Sequence, residues 1–333
     1  MIGELDYFTH DEHGVLDWFR NNEPVREKGY TTTLLGDDAV RYINAQDPRK
    51  PFYLYLTFNA PHTPYQAPKE YVGKYSSIAD TTRRTYAGMV DCLDENIGKV
   101  VAALDNRGLR ENTLILFHSD NGGTRDKMFT GQLADVANTN LPCDNGPFRN
   151  GKGTLFEGGC RVAACANWPG HIKAQTVNGI IHAVDIYPTF AALAGASTAK
   201  CKPLDGVNVW HTIAEGKLSP RTEFIYNVEP FRGGLRQGDW KLIWRTTLPS
   251  SVELYNLAED PYEKNNVAAA HPDKVAAMQA RLETAGKESA KPLALLYIMQ
   301  TAMKATVPLL PTDEGFYTDA DDDTATPKIG TAH

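Results

Sequence analysis

The stretch "TLILFHSDNGGT", residues 113–124, decides the fold class of this 333-residue chain. Five of its first six residues are β-branched, Leu or Phe, which predicts a short buried strand. Asp120, Asn121 and two glycines follow, and the carboxyl end of a strand is where an α/β sheet presents its ligands. The Asp and Asn oxygens suit Ca²⁺ or Mg²⁺. Asp-Asn-Gly-Gly is equally good turn chemistry, and the spacing alone does not decide between the two.

Further strands and helices extend this pattern. "PFYLYLTF", residues 51–58, predicts a second apolar strand, and the chain between the two strands predicts a helix with Asp80 as its N-cap and Gly108 at its end. Two apolar strands joined through a helix predict a parallel sheet that helices cover on both faces. "RVAACANW", residues 161–168, predicts another strand, and "DIYPTFAALAG", residues 185–195, a short helix.

The character of the sequence changes near residue 216. Short alternating or aromatic runs then predict a small antiparallel sheet, followed by a helix at about 271–286. We therefore divide the chain into an α/β domain over residues 1–215, the small sheet plus helix over 216–290, and an extension over 291–333. The extension carries an apolar helix, "LALLYIMQTAMK", and an acidic tail whose composition is typical of disorder.

Charge and cysteine content limit the partners and the compartment. The net charge is −7 and the basic residues are dispersed, which argues against nucleic acid or an anionic membrane surface as a partner. No apolar run is long enough to span a bilayer, and the acidic start "MIGELDYFTHDEHG" differs from a signal peptide. We therefore expect the chain as written to be cytoplasmic. Its five cysteines include no C-x-x-C pair and predict buried thiols, with one disulfide as the alternative.

Two loops carry basic side chains that could contact an anion. His62 lies in "NAPHTPYQAP", residues 59–68, where prolines fix φ and stiffen the loop. A positioned His can stabilise an oxyanion or donate a proton; a structural hydrogen bond is the alternative. Lys152 lies between two glycines in "NGPFRNGKGTLFEGGCR", residues 145–161, which is not a P-loop because Gly-x-x-x-x-Gly-Lys-Ser/Thr is absent. Its charge could approach a tetrahedral oxyanion, or it is an ordinary solvated lysine.

A third polar pair lies in "IIHAVDIYPTF", where His182 and Asp185 are three residues apart. These side chains could ligate a metal at the end of a strand. We favour a structural role, because Pro188 and the predicted helix after it make this a packing junction.

Taken in order, these stretches resemble the type I sulfatases of the alkaline phosphatase superfamily, most closely the arylsulfatase B-like branch. The resemblance covers roughly the first 270 residues and includes "APHTPYQAP", "YAGMVDCLDENIGKVVAAL", "SDNGG", "GKGTLFEGGCRV", "DIYPTFAALAG" and "PLDGVNVW". It implies a sulfatase/alkaline-phosphatase-like α/β sheet flanked by helices. It also implies that Asp120 and Asn121 are half of a Ca²⁺ site, and that His62 and Lys152 contact the sulfate oxygens as catalytic and substrate-binding groups.

Three stretches of the family pattern do not occur in this sequence. They are a strand with paired aspartates that completes the metal site, the Cys/Ser-x-Pro-Ser-Arg motif whose first residue becomes formylglycine, and a Gly-Lys-Trp-His-Leu-Gly stretch. The resemblance therefore implies an N-terminally truncated domain, from a family whose members are often exported. We expect weak binding of Ca²⁺, or of Mg²⁺ or another divalent ion, and no formylglycine.

These features predict a sulfatase-like hydrolase scaffold that acts on small-molecule sulfate or phosphate esters. One alternative is a promiscuous phosphoester or phosphotriester hydrolase that uses water or a new nucleophile; another is an inactive remnant or a binding protein. Without the family's first strand, a sheet edge and apolar faces would be exposed. Such edges recruit other chains, so we expect a homodimer or larger assembly with the C-terminal helix near the interface.

Overall fold

The computed structural model describes residues 5–125, 141–229, 232–246 and 250–289. The helices in these ranges are α1 (Thr31–Asn44), α2 (Lys69–Lys74), α3 (Thr81–Asn106), α4 (Glu157–Cys160), α5 (Ile186–Leu193), α6 (Trp210–Glu215) and α7 (Pro272–Glu288). The strands are β1 (Asp11–Glu12), β2 (Val15–Leu16), β3 (Phe19–Arg20), β4 (Glu23–Pro24), β5 (Ile115–His118), β6 (Ala164–Asn167), β7 (Glu223–Glu229), β8 (Arg232–Gln237), β9 (Trp240–Arg245) and β10 (Ser251–Asn256).

The chain divides into two compact units, Met1–Thr284 and Ala285–His333. The elements described below belong to the first unit, apart from the last four residues of α7. The boundary predicted at residues 215 and 216 stays a prediction. The apolar helix and acidic tail predicted beyond residue 290 lie outside the described residues.

Helix α3 forms where the sequence predicts it. The Asp80 carboxylate caps the helix by accepting a hydrogen bond from the Arg83 backbone N–H at 2.7 Å, and Gly108 follows the helix with φ +63°. Its apolar face buries Met89 and Leu104. The helix packs against α1 and α2, so the helical layer of the predicted α/β domain is confirmed.

The predicted parallel sheet is wrong in its pairing. Strand β5 pairs with β6 in antiparallel orientation, with Ile115 opposite Asn167 and His118 opposite Ala164. The two strands form a sheet of their own among the described residues. Residues 51–58, predicted as a second strand, lie in no sheet of the described chain.

The side chains of residues 51–58 explain the error. Burial alternates along this stretch: Phe52 and Leu54 pack against the core between α1 and α3, whereas Tyr53 and Tyr55 are 67% and 73% exposed. A tyrosine has an apolar ring and a polar hydroxyl and tolerates either environment. The stretch therefore resembles a doubly buried strand in composition, although only one of its faces is covered.

The predicted small antiparallel sheet is confirmed. Its four strands lie in the order β10–β9–β8–β7, and each pairs antiparallel with its neighbour. One face buries Leu235, Leu242 and Leu254 against Met278 and Leu282 of α7. This helix lies close to the predicted range of 271–286.

A second apolar cluster joins the glycine-rich loop to this sheet. Leu155 and Phe156 of the loop pack with Tyr226, Ile243 and Tyr255 of the strands. All five side chains are at most 8% exposed. The four-stranded sheet therefore supports the loop that carries Lys152.

All five cysteines lie in the described ranges and none forms a disulfide. Cys92 and Cys143 are buried, as expected, but Cys165 and Cys201 are exposed, which corrects the expectation of buried thiols. Cys165 is exposed because β6 belongs to a sheet of only two strands. Across the described ranges, no helix is long and apolar enough to cross a membrane.

Candidate active site

The loop after residue 58 holds His62 by hydrogen bonds to its backbone. The His62 N–H donates to the Asn59 carbonyl at 2.8 Å, and the His62 carbonyl accepts a hydrogen bond from the Tyr7 hydroxyl at 2.9 Å. Tyr7 is fully buried and stacks on Tyr30. Burial raises the pKa of the Tyr7 phenol far above its ordinary value, so this hydroxyl remains a donor throughout the physiological pH range.

The imidazole of His62 meets the ammonium of Lys152. Lys152 Nζ lies 2.9 Å from His62 Nε2, and His62 Nδ1 lies 3.0 Å from the Thr63 carbonyl oxygen. A carbonyl only accepts and an ammonium only donates. The contacts therefore assign the neutral tautomer with the proton on Nδ1, in which Nε2 accepts a hydrogen bond from Lys152.

The side chain of Asn145 ties the loop of Lys152 to the turn after β5. Its Oδ1 accepts from the Gly123 N–H at 2.8 Å, and its Nδ2 donates to the carbonyls of Gly123 (2.9 Å) and Asn150 (2.8 Å). The Lys152 N–H also donates to the Gly123 carbonyl at 3.2 Å. The two segments that the sequence singled out, around residues 120 and 152, are therefore adjacent.

Two glycines make this contact possible. The Gly122 N–H donates to the Gly159 carbonyl at 3.0 Å. A Cβ atom at Gly122 would lie 1.8 Å from the Gly158 carbonyl oxygen, and one at Gly158 would lie 2.3 Å from the Asn150 carbonyl oxygen. A side chain at Gly122 would push the turn and the loop apart, and a side chain at Gly158 would displace the backbone of Asn150 within the loop itself.

Asp120 and Asn121 offer two hard oxygen donors at the edge of this arrangement. Asp120 is exposed and Asn121 is half-buried; the Asn121 amide Nδ2 donates to the Gly122 carbonyl at 3.0 Å, which turns the nitrogen inward. The donor chemistry fits Ca²⁺ or Mg²⁺, but Ca²⁺ takes six to eight oxygens. Within the described ranges, no group of three or more His, Cys, Asp or Glu side chains converges, so these residues would supply a minority of the ligands.

His182 and Asp185 form a structural junction, as favoured from the sequence. The buried Asp185 carboxylate accepts hydrogen bonds from Arg221 Nε (2.7 Å) and from the backbone N–H groups of Val207 and His182 (both 2.8 Å). Burial raises the pKa of this carboxyl, but these hydrogen bonds outweigh burial and hold the pKa below its ordinary value. Since the partners saturate the carboxylate, it is not available as a metal ligand.

Sequence reasoning missed the residues that support the site. Asn145, Arg149 and Glu157 lie inside the glycine-rich loop but carried no signal of their own. Lys241 is fully buried in β9. The one available signal was its position in "WKLIWR", where Lys241 stands between the apolar residues Trp240 and Leu242.

Comparison with known proteins settles the family. The model of the Sulfatase family matches residues 4–196, which is more than half of the chain. The chain belongs to the sulfatase family. A second family model, N-sulphoglucosamine sulphohydrolase, C-terminal, matches residues 149–289 of this sulfatase. The match confirms the resemblance to type I sulfatases of the alkaline phosphatase superfamily.

Individual curated proteins similar to this chain are also sulfatases. Arylsulfatase J of Mus musculus is 33% identical over 266 residues, which cover 76% of this chain and 42% of that protein. N-acetylgalactosamine-6-sulfatase of Mus musculus is 34% identical over 220 residues, which cover 63% of this chain and 39% of that protein. The chain thus spans less than half the length of these curated relatives.

A solved structure confirms the fold. Ps i-CgsB in complex with k-i-k-neocarrahexaose matches with a TM-score of 0.71 and 32% identity, over 82% of this chain and 58% of that chain. The sulfatase described here therefore has the alkaline-phosphatase-like fold. Sulfatases generally bind a divalent metal ion.

Proposed function

We propose that this chain hydrolyses small-molecule sulfate or phosphate esters at the Lys152–His62 pair. The observation that carries the proposal is the 2.9 Å contact between Lys152 Nζ and His62 Nε2, which joins two loops 90 residues apart. Both groups are part-buried and hydrogen-bonded in place. Preorganised donors of this kind stabilise the charge that develops on a tetrahedral ester during its cleavage.

The two side chains have separable roles. The Lys152 ammonium donates to a non-bridging oxygen of the bound ester. His62 Nε2, the acceptor in the free protein, takes up a proton from solvent and donates it to the leaving oxygen. The oxygen of one water molecule bonds to sulfur or phosphorus, the bond to the ester oxygen breaks, and the alcohol departs with the proton from Nε2. The proton that the attacking water loses returns to solvent.

Asp120 and Asn121 are the residues that would hold a divalent ion, Ca²⁺ before Mg²⁺. When bound, such an ion polarises a sulfate or phosphate oxygen as a Lewis acid. Two oxygens are far fewer than Ca²⁺ prefers, which supports weak binding with water as the remaining ligands.

The nucleophile in this proposal is water. The chemistry therefore depends on the oxyanion-binding groups, and turnover is expected to be slow. A chain that binds the anion but does not turn over the ester is the competing function, a binding protein.

We also propose that the chain self-associates through residues 51–58. Tyr53 and Tyr55 are 67% and 73% exposed, and this extended stretch lies in no sheet of the described chain. An extended segment without strand partners offers backbone donors and acceptors to a second chain. The exposed rings add an apolar surface that association would cover.

One experiment separates ester hydrolysis from anion binding without turnover. Hydrolysis of 4-nitrophenyl sulfate and 4-nitrophenyl phosphate is followed for the full chain, and inorganic sulfate binding is measured by calorimetry. Turnover that depends on Lys152 supports the hydrolase. Sulfate binding without turnover of either ester identifies the binding protein, and turnover that survives the loss of both Lys152 and His62 places the chemistry elsewhere.

A further inference from the structure

Three ionisable side chains that the proposed chemistry does not use lie buried together next to the glycine-rich loop. Lys241 Nζ, on β9, donates a hydrogen bond to Glu157 Oε1 at 2.7 Å and lies 2.9 Å from Glu263 Oε1. Lys241 and Glu263 are 0% exposed and Glu157 is 2% exposed. Burial raises the pKa of the Glu263 carboxyl above its ordinary value. We call these three residues the buried charge cluster.

Stability alone is a poor reason for such a cluster. Moving charged groups out of water is costly, and the attraction between them often does no more than offset that cost. Apolar residues of similar size would fill the same space as well or better. What a buried ion pair does provide is a fixed geometry, because a charge without its partner in this environment is strongly unfavourable.

The cluster fixes the loop that carries Lys152 at one end. Glu157 is the first residue of α4 and lies five positions after Lys152. Its side chain binds Lys241, and its backbone N–H donates to Glu263 Oε2 at 2.6 Å. The side chain of Glu157 is therefore bound to Lys241, and its main chain to Glu263.

Arg149 fixes the loop on the other side of Lys152. Its guanidinium Nη1 donates to the Tyr255 hydroxyl at 2.7 Å and to the Glu263 carbonyl at 3.2 Å. The same group lies 3.9 Å from the centre of the Phe156 ring. The loop is thus anchored on both sides of Lys152, and both anchors reach Glu263.

Backbone contacts connect the residues of this loop closely to one another. The Gly158 N–H donates to the Arg149 carbonyl at 2.9 Å, and the Thr154 N–H donates to the Gly151 carbonyl at 3.1 Å. A Cβ atom at Gly159 would lie 2.5 Å from the Thr154 carbonyl oxygen. A displacement of Glu157 is therefore carried to Lys152 by backbone contacts.

We propose that Lys241 is a positioning residue, which acts through Glu157 and Glu263 to hold Lys152 Nζ against His62. Lys241 touches no reacting atom in this arrangement. Its contribution is to keep the Lys152 ammonium where an ester oxygen binds. The inference deepens the proposed function and rests on it for its biological meaning, but the positioning itself is measurable without any turnover.

The test compares two variants with a matched control. Lys241→Met with Glu263→Gln removes one positive and one negative charge together, so that the net charge is preserved. Glu157→Gln is isosteric, keeps an acceptor for Lys241, and is the milder change if the double variant folds poorly. Lys217→Met is the control, because Lys217 pairs with Glu215 at the surface and its side chain is 63% exposed.

The primary measurement is the nitrogen NMR signal of His62 Nε2, with Lys152→Ala as the reference for a lost contact. We expect the double variant to move this signal toward the Lys152→Ala position, Glu157→Gln to move it part of the way, and Lys217→Met to leave it unchanged. Calorimetry should then show sulfate affinity weakened about tenfold, and kcat/KM should fall by about 10²-fold, the effect of a misplaced catalytic group.

The outcomes separate the two proposals. A His62 signal that stays at its original position in the double variant and in Glu157→Gln overturns the positioning role, even if the melting temperature falls. A signal that moves as expected in a protein that hydrolyses neither ester supports the positioning role and refutes the hydrolase.

Discussion

The ammonium of Lys152 and the imidazole of His62 meet at 2.9 Å, although 90 residues separate them along the chain. The loop of His62 is anchored to Tyr7, and the loop of Lys152 to Asn145 and the strands of the C-terminal sheet. The contact is therefore a product of tertiary structure, and its removal should affect activity far more than stability.

The first prediction concerns this pair. Lys152→Ala and His62→Ala should each lower kcat for 4-nitrophenyl sulfate by about 10²–10³, the usual cost of one preorganised oxyanion donor. Steady-state kinetics with the full chain measures the loss. Lys217→Ala and His211→Ala are the controls, because both side chains pair with Glu215 at the surface. Equal losses in all four variants would show that the effect is not specific to the site.

The second prediction concerns the metal. Two protein oxygens should give a dissociation constant for Ca²⁺ on the order of 10⁻⁴–10⁻³ M, the range of weak protein sites. Calorimetry should show this binding abolished by Asp120→Ala and unaffected by Asp239→Ala, which removes an exposed carboxylate from the turn between β8 and β9. Submicromolar binding that survives Asp120→Ala would mean that other ligands hold the ion.

The third prediction concerns the junction between Asp185 and Arg221. Asp185→Asn leaves a nearly buried guanidinium without its counter-charge, which costs about 3–5 kcal/mol in the free energy of unfolding. Urea denaturation measures this difference. Asp47→Asn is the control, because Asp47 pairs at 2.9 Å with an 87% exposed Arg49 and its loss should be barely measurable. A small effect at Asp185 would contradict its role as the centre of the junction.

The loss of stability caused by Asp185→Asn should also depend on pH, and the sign of that dependence follows from the pKa of Asp185. The pKa of Asp185 is lowered in the folded protein from an ordinary value of 3.8. Above 3.8 the carboxylate is ionised in both states, so its full contribution to stability is present. As the pH falls below 3.8 toward the folded pKa, the unfolded state takes up the proton first and the contribution is lost. The stability difference between wild type and Asp185→Asn should shrink over that interval and stay constant above it.

The fourth prediction concerns assembly. Light scattering at micromolar concentration should give a dimer or larger species of the 36.7 kDa chain. Tyr53→Arg combined with Tyr55→Arg places two charges on the proposed interface and should produce the monomer. Leu218→Arg, at a side chain that is 97% exposed, should not. Deletion of residues 291–333 tests whether the C-terminal extension contributes, and a wild-type chain that is already monomeric would refute the proposal.

Local signals predicted the helices well and the sheet poorly. The N-cap at Asp80 and the apolar spacing of α3 act within a few residues, so the sequence alone contains them. Strand pairing is a non-local choice. Nothing in "TLILFHS" or "RVAACANW" states that β5 and β6 run antiparallel, and composition could not show that residues 51–58 have one covered face and one exposed face.

In the candidate site, too, the sequence indicated local features and did not indicate contacts between distant residues. His62 and Lys152 were identifiable as basic residues in stiff or glycine-rich loops, but only the resemblance to sulfatases related one to the other. Lys241 carried only the weak signal of its position in an apolar strand, and a lysine in a strand is ordinarily a solvated one. Its role depends on Glu157 and Glu263, which lie 84 residues before it and in a later loop.

The fit between Gly122 and Gly158 has a consequence for engineering. Backbone meets backbone there, with 1.8 Å between a hypothetical Cβ atom at Gly122 and the Gly158 oxygen. Libraries that vary the glycines or the length of this loop will therefore consist mostly of misfolded members. Variation should instead be placed at side chains such as Phe148 and Tyr262, whose ring centres lie 6.1 Å apart. A substitution of either ring changes a side chain and leaves the backbone contact between Gly122 and Gly158 in place.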